Sequence, residues 1–590
     1  MTEFPAPARA HRPGDFTADR RILLLMALAV PVGSAAVGTA WILLKLIALC
    51  TNLAYFHRFT SEPLSLADAS LGLSSVAIPV IGCLIIGLMA RYGSEKIRGH
   101  GIPEAIEAIL IGKSRISPKV AVLKPLSSAI SIGSGGPFGA EGPIIMTGGA
   151  VGSLIAQMIH LSSTERKALL VAGAAAGMTA IFAAPIAAVL LAVELLLFEW
   201  KPRSFLPVAV AAAVAAAERT LLLDPGPLFP YSGAIAASLP AVGAFALIGL
   251  LVGLGSGLLT ALVYGFEDAF AKLPIHWMWW PMLGGLAIGL GGLIEPAALG
   301  VGYDNIRHLL AGDLIFKAVL LLLVVKAVIW AVALGSGTSG GVLAPLLIFG
   351  GCLGALATPF LPEAPTGFWA LLGMAAMMGG TMRAPLTATL FAIELTGDFF
   401  AALPLLVACF VAHATTVLLL KRSILTEKIA RRGLHITREY QADPFEQAWV
   451  KDVMVAEVDT LPHSWTAGQV IDFFTGNERR HKSYPVVDDR RKLLGMVSRG
   501  DILSWLADGE ELDRKQPLSE LVGGDPLTGD PDELVGTLAD RMAQSGIGRV
   551  PVTDRKGMLL GLVARKDLLK ARAARRAEES DHAVHLRLGI

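Results

Sequence analysis

Ala184, Pro185, Leu190, Ala192, Glu194 and Leu195 recur, each 200 residues further on, as Ala384, Pro385, Leu390, Ala392, Glu394 and Leu395. Gly133, Ser134, Gly135 and Pro143 recur in the same way, 202 residues on, as Gly335, Ser336, Gly337 and Pro345. The chain therefore carries two copies of one unit of about 200 residues. Both copies are strongly apolar, with long stretches at 73–90, 205–217, 240–265, 314–334 and 403–420. A membrane-spanning helix needs roughly 20 such residues. Several stretches are shorter, or are interrupted by Gly and Pro as at 133–143 and 335–345, which predicts helices that stop inside the membrane. Non-helical backbone at that depth must line a cavity or be packed in protein. Duplicated membrane folds with broken helices place their substrate where the repeats meet. The repeat itself fits parallel and inverted halves alike.

Composition agrees with a membrane protein. Only 17% of residues are charged and 54% are hydrophobic, against about 25% charged in soluble domains. The net charge of +1, with Lys and Arg gathered at segment ends, argues against a nucleic-acid partner. Cys50, Cys83, Cys352 and Cys409 lie in or beside apolar segments without metal-type spacing, so they read as packing residues. The first 21 residues are polar and carry Arg9, Arg12, Arg20 and Arg21, unlike a secretory signal. By the positive-inside rule this N-terminal segment stays cytoplasmic, and Lys421, Arg422, Lys428, Arg431 and Arg432 mark a cytoplasmic exit after the last apolar stretch. The expectation is a multi-pass protein of a bacterial-type inner or plasma membrane with both termini cytoplasmic. Trp277, Trp279 and Trp280 suit an interfacial belt.

A second repeat follows. Pro485, Asp488, Leu494, Gly495, Val497, Arg499, Asp501 and Leu503 match Pro551, Asp554, Leu560, Gly561, Val563, Arg565, Asp567 and Leu569, always 66 residues apart. Each unit reads as short strand, turn, strand, helix. Residues 571–590 are charged and read as a frayed helical tail.

Three glycine-rich segments carry the chemistry. In Gly99, His100, Gly101, Ile102, Pro103, Glu104, in Gly139, Ala140, Glu141, Gly142, Pro143, and in Gly341, Val342, Leu343, Ala344, Pro345, glycines precede a proline suited to the first turn of a helix. A helix start offers open backbone N–H groups and a partial positive charge, which bind an anion without a full cation. Three starts meeting at one point would hold a small anion weakly enough to release it, as conduction requires. The plainer alternative is that the glycines only permit close helix packing. Glu141 stands in an apolar region, where a carboxylate is costly and usually functional. Beside an anion site it would occupy that site when ionised and leave it when protonated, acting as gate and proton carrier; the alternative is a simple helix cap.

These motifs resemble those of the CLC family of chloride channels and proton/chloride exchangers. GHGIPE is similar to the family's GSGIPE, GAEGP to GREGP, and GGVLAP to GIFAP, and the C-terminal repeat resembles a pair of CBS domains; together the resemblance covers about residues 20–572. It implies an all-α polytopic membrane domain of two inverted repeats with broken helices, an α/β tandem CBS module, a homodimer in membrane lipid, and one anion pathway per subunit. The implied division is 1–21 N-terminal segment, 22–433 membrane domain, 434–448 linker, 449–508 and 515–572 CBS domains, and 573–590 tail. The implied function is transport of chloride and other small anions, linked to protons, with a passive voltage- or pH-gated channel as the alternative. Glu141 falls on the gating glutamate, and Lys124 on a buried lysine that makes the pathway electropositive. Val342 and Leu343 fall on the pair whose amides hold the central anion, with Leu343 in place of a phenylalanine.

Three departures follow from the same comparison. His100 replaces the family's anion-binding serine, bringing a larger side chain that titrates near pH 6.5; a histidine after the basic stretch 96–98 would equally suit a solvent-facing loop. Leu425 stands where the family has a tyrosine at the start of the last membrane helix. Leu195 stands where many exchangers have an internal proton-handling glutamate, leaving Glu194 and Glu394 as structural carboxylates at helix ends. In the CBS pair, Asp501 and Asp567 fall on the ribose-binding position and Ser498 on the adjacent hydroxyl, with Ala564 as its counterpart. The resemblance implies an adenosine nucleotide as the ligand, against a purely structural dimerisation module, and no required cofactor or metal.

Two rivals are weaker. Gly337, Thr338, Ser339, Gly340 and Gly341 fit G-x-S-x-G, and His413 lies in an apolar stretch, as in an intramembrane serine protease, but that motif wants a strand-to-helix elbow. A cation or organic-solute transporter needs inward carboxylates and carbonyls, whereas the three segments offer helix starts. The expectation is therefore a transporter and not an enzyme.

Overall fold

The structure is a computed structural model that describes residues 20–570 apart from 67–68, 70–71, 160, 224–225, 234, 236–237, 435–444, 446–447, 477–480, 508–512 and 523–525. The first 19 residues, most of the expected linker and the expected tail lie outside the described residues. The chain divides into a helical unit over Gly14–Glu439 and a smaller unit formed mainly by Tyr440–Ile590.

The helical unit shows its duplication element by element. The first copy comprises α1 (Arg21–Thr51), α2 (Ala77–Tyr92), α3 (Ile102–Leu110), α4 (Pro118–Gly133), α5 (Glu141–Met158), α6 (Ser163–Phe182), α7 (Pro185–Leu191) and α8 (Pro202–Leu222). The second comprises α9 (Leu239–Ala271), α10 (Trp280–Ile294), α11 (Tyr303–Ala311), α12 (Phe316–Gly335), α13 (Leu343–Ala357), α14 (Phe368–Met382), α15 (Pro385–Thr396) and α16 (Ala402–Leu419), with α17 (Ile424–Arg431) following. Each helix of the first copy has its mate eight places later, and short α3 mirrors short α11. Among the described residues, eight helices are long and apolar enough to cross a membrane. The remaining helices include short pieces such as α3, α7, α11 and α15, and the Gly and Pro interruptions fall where α4 ends at Gly133 before α5 begins at Glu141 and where α12 ends at Gly335 before α13 begins at Leu343.

Close helix packing rests on paired glycines. A Cβ on Gly148 of α5 would strike the Gly173 carbonyl of α6, and one on Gly173 would strike the Gly148 carbonyl. The second copy repeats this with Gly350 of α13 and Gly373 of α14. Small residues at such crossings bring backbones into van der Waals contact, which replaces the hydrophobic drive that lipid removes.

The two copies also close each other. The Glu394 carboxylate accepts from Ile186 N (3.0 Å) and Ala187 N (2.7 Å) at the start of α7. The Glu194 carboxylate accepts from Thr387 N (2.9 Å) and Thr387 Oγ1 (2.5 Å) at the start of α15. Each carboxylate thus caps the mate of its own helix, satisfying orphan donors and the helix dipole. Leu195 beside it is wholly buried, in a π-helical turn over Ala192–Leu197.

The smaller unit holds the strand, turn, strand, helix pattern twice. β1 (Leu461–Pro462) pairs parallel with β2 (Ser483–Val487), which pairs antiparallel with β3 (Leu493–Ser498), and a helix follows over Arg499–Ala507. In the second copy β4 (Arg549–Thr553) pairs antiparallel with β5 (Leu559–Ala564). Each copy has its own small core, one around Val470, Phe474 and Val486 and the other around Leu538, Val550 and Val563. They are joined by Leu493 N to Gly557 O and Leu559 N to Arg491 O, both 3.0 Å.

The glycine crossings yield a direct test. Gly173→Leu and Gly373→Leu each overpack a helix pair, a change that costs about 1–3 kcal/mol or more. Both should lower the thermal melting point of the detergent-purified protein, whereas Gly38→Leu, whose added Cβ meets nothing within 4 Å, should leave it unchanged.

Candidate functional site

The three glycine segments that precede α3, α5 and α13 are hydrogen-bonded to one another. Gly139 N donates to Gly341 O (3.1 Å) and Gly341 N to Gly139 O (2.7 Å), an antiparallel bridge two residues before both α5 and α13 begin. Gly99 N donates to Thr338 O (3.2 Å) and Gly340 N to Gly99 O (3.4 Å), which joins the segment before α3 to the same strip. All three helix starts are therefore brought to one place. The strip requires glycine: a Cβ on Gly142 would enter the His100 carbonyl, and one on Gly101 would press on the Gly142 carbonyl at 2.7 Å. Gly99 and Gly101 also have φ of +82° and +89°, a region that side chains disfavour.

The helix starts themselves are open. The first amides of a helix have no intrahelical acceptor. Neither Ala140, the N-cap of α5, nor Val342, the N-cap of α13, supplies a side-chain cap. Ala140, Gly142, Pro143, Ile102, Pro103, Val342 and Leu343 are all buried, so no solvent-facing side chain covers the site.

Glu141 is wholly buried, and neither carboxylate oxygen has a hydrogen-bond partner. A Cβ added to Gly139 or to Gly341 would meet that carboxylate. Its side chain thus lies across the bridge between α5 and α13, with the Ala344 amide of α13 close by. A buried carboxylate without partners is costly.

Lys124, also wholly buried, donates to Ile97 O (2.9 Å), Gly99 O (2.7 Å) and Ser339 Oγ (3.1 Å). Ser339 Oγ is further held by Ser127 (3.1 Å) and Ser128 (3.0 Å). Its hydroxyl is committed to this cluster, as an acceptor for the buried ammonium.

His100 is only 2% exposed, which removes the solvent-facing alternative, and its Nδ1 has no partner. The residues around it include ones that the motifs do not name. Glu104 Oε2 accepts from Gly101 N (3.0 Å), while Oε1 pairs with Lys428 (3.0 Å) and Arg432 (2.9 Å) of the segment around α17. Arg432 also reaches Glu107 (2.6 Å). Lys428 Nζ sits against Gly99, where a Cβ would displace it. In sequence these cations are legible only as a basic exit cluster. Leu425 is wholly buried in the first turn of α17. A phenol does reach this turn, from Tyr264 of α9, but its hydroxyl donates to Ile424 O; its one sequence signal is a phenol within the apolar run 240–265.

In the smaller unit, Asp501 Oδ2 accepts from Ser498 N and Ser498 Oγ, both 2.7 Å, on an exposed surface. Asp567 Oδ2 accepts from Ala564 N (3.0 Å) and is 8% exposed. The two aspartates cap equivalent helices but differ in access.

The model of the voltage-gated chloride channel family matches residues 82–417, and that of the CBS domain matches 450–508 and 518–574. The chain belongs to the voltage-gated chloride channel family. Relatives include a putative chloride channel protein ClcB-like from Ralstonia nicotianae, 30% identical over 57% of this chain and 81% of the relative. The voltage-gated ClC-type chloride channel ClcB of Escherichia coli is 29% identical over 70% of this chain and the whole relative. The H(+)/Cl(-) exchange transporter ClcA of Salmonella typhimurium is 26% identical over 72% and 92%. The same fold occurs in a slow cyanobacterial Cl-/H+ antiporter (TM-score 0.60, 24% identity, covering 70% of this chain and 98% of that one). It also occurs in a eukaryotic CLC transporter (TM-score 0.58, 19% identity, 92% and 98%).

The Glu104 cluster is the part of this site most open to a stability test. Glu104→Ala leaves Lys428 and Arg432 without their shared carboxylate; loss of one partner of a buried pair costs about 3–5 kcal/mol, toward the low end here because both cations are partly exposed. The variant should melt well below the parent protein in detergent, and Glu107→Ala, on the exposed side of the cluster, should have a much smaller effect.

Proposed function

We propose that the protein transports chloride and similar small anions across a membrane, as a homodimer with one pathway per subunit, and that Glu141 gates that pathway and exchanges protons. The observation that carries this reading is the hydrogen-bonded strip that brings three helix starts together, two of them, those of α5 and α13, without a side-chain cap, with Glu141 lying across it. Amide N–H groups and helix dipoles attract an anion without binding it tightly. Where an ionised carboxylate and an anion compete for the same amides, protonation of the carboxylate vacates the site. Anion and proton movement are then linked through one side chain.

The inner approach follows from His100, Lys428 and Arg432. A neutral imidazole donates one hydrogen bond, as a serine hydroxyl would, and His100 stands beside the Gly101 amide with its Nδ1 unpartnered. With Leu425 apolar and the Tyr264 hydroxyl committed to Ile424, His100 takes the role of side-chain ligand for the inner anion. Leu195 cannot carry a proton, so a proton on the inner side travels by water between Glu141 and the cytoplasm. Passive conduction is the alternative reading, and Leu195 is the residue that favours it.

Both termini lie in the cytoplasm in this reading, and the CBS pair binds an adenosine nucleotide chiefly through Asp501 and Ser498, which are the accessible pair. Asp567 and the Ala564 position contribute less.

Anion flux from liposomes with and without a pH gradient tests the central claim. An exchanger shows a reversal potential that follows the proton gradient; a reversal potential that ignores it favours the channel. Glu141→Gln should keep anion flux while removing its pH dependence, and a variant that keeps the dependence would overturn the gate assignment. For His100→Ala, which removes a hydrogen bond to an ion that contributes about 1.5–3 kcal/mol, chloride selectivity over nitrate and fluoride should change about tenfold or more. Unchanged selectivity would remove His100 from the pathway.

A further inference from the structure

The duplication supplies the candidate site with a mate that the motifs do not announce. α3 and α11 are equivalent helices, each entered through two glycines at positive φ: Gly99 (+82°) and Gly101 (+89°) in the first copy, Gly300 (+63°) and Gly302 (+81°) in the second. On the helices that follow, Lys124 and Lys326 stand 202 residues apart. Both are wholly buried. Lys124 Nζ donates to the carbonyls of Ile97 and Gly99, and Lys326 Nζ donates to those of Ala298 (2.9 Å) and Gly300 (3.0 Å).

They differ in the third N–H. Lys124 gives it to Ser339. The residue 202 positions before Ser339 is Pro137, which has no hydroxyl. Lys326 is left with two acceptors and, among the described residues, no carboxylate partner. Its ammonium lies at the start of α11, with Nζ 3.1 Å from where a Cβ on Gly302 would stand.

That helix start is itself open. Gly302, its N-cap, supplies no side-chain cap. Tyr303, the first residue of α11, buries its hydroxyl without any partner and lies in electrostatic reach of Glu141. The acidic side chain nearest in sequence, Asp304, is turned to Arg307 at 2.8 Å and is half exposed. A buried ammonium with one N–H beyond its two carbonyl acceptors thus stands at an uncapped helix start whose first residue carries an unpartnered buried phenol. Buried donors are seldom left so.

We propose that Lys326, the first amides of α11 and the Tyr303 hydroxyl form a second anion site, the mate of the His100 approach, on the opposite side of Glu141. This rests on the anion-transport reading. Inverted copies place equivalent helix starts toward opposite faces of the membrane, so the pathway has a waiting place on each side of the gate. The ligand class is a small monovalent anion, chloride or bromide. The inner place is built on His100 beside a lysine that is fully bonded; the outer one uses the lysine directly.

Bromide soaked into crystals of the full-length protein and located by its anomalous signal is the first measurement. The expected result is one peak beside Lys326 Nζ and another near the bridge of Gly139 and Gly341. A peak at the bridge alone overturns the second site and leaves the transport reading standing; peaks at neither overturn both. The second measurement is flux against chloride concentration, varied on one face of the liposome at a time. Lys326→Gln should raise the half-saturating concentration about tenfold on one face only, Tyr303→Phe should do so more weakly on that same face, and Lys326→Arg should restore it. Equal change on both faces, or no change in Tyr303→Phe with a stable Lys326→Arg that fails to restore, would make Lys326 a structural staple.

Discussion

The short antiparallel bridge between Gly139 and Gly341 is the contact on which the rest of the helical unit depends. It joins the two copies backbone to backbone, two residues ahead of both α5 and α13, with the Glu141 side chain lying across it. Glycine is needed there for a steric reason, since a Cβ on either residue would occupy the volume of the Glu141 carboxylate. The parallel bridge of Gly99 to Ser339 adds α3 to the same strip. Helix dipoles are then gathered at one point inside a low-dielectric core, where their effect on an ion is least screened.

Such convergence of partial positive charge is self-repelling unless something binds it. Carbonyls bring some relief, as those of Ile97 and Gly99 do for Lys124. Carboxylates bring more: Glu104 takes two cations and one amide, and Glu194 and Glu394 each cap a helix of the other copy. Glu141 is the one carboxylate of this set without a partner of its own. The contrast separates the acids that hold the framework from the one carboxylate of this set that no hydrogen bond holds.

Much of this was legible in the sequence because it depends on residue types with few alternatives. Gly and Pro interruptions at fixed offsets gave the broken helices, and the offsets of 200 and 202 gave the two copies. The pairing of Glu194 and Glu394 at helix ends follows from their identical neighbourhoods. What stayed hidden depends on which surfaces meet. Lys428 and Arg432 look like exit charges until α17 is packed on α3, and Tyr264 looks like a tyrosine in an apolar run until its hydroxyl is seen at Ile424. Ser339 suggests a nucleophile in a linear motif and proves to be a ligand of Lys124. His100 could equally have faced water; only burial to 2% exposure settles its place.

The exchange of caps between copies has a consequence for biogenesis. Glu394 is made about 200 residues after the α7 amides it covers, and Ser339 is made 215 residues after Lys124. At roughly 5–20 residues per second, the first copy waits on the order of 10–40 seconds in the bilayer with a helix start uncovered and an ammonium short of one acceptor. During that interval water, lipid headgroups or the insertion machinery must stand in for the missing half. The ribosome's pace is thereby coupled to the survival of a half-built pore, and slow synthesis through the second copy would expose the first to proteolysis before its partner arrives.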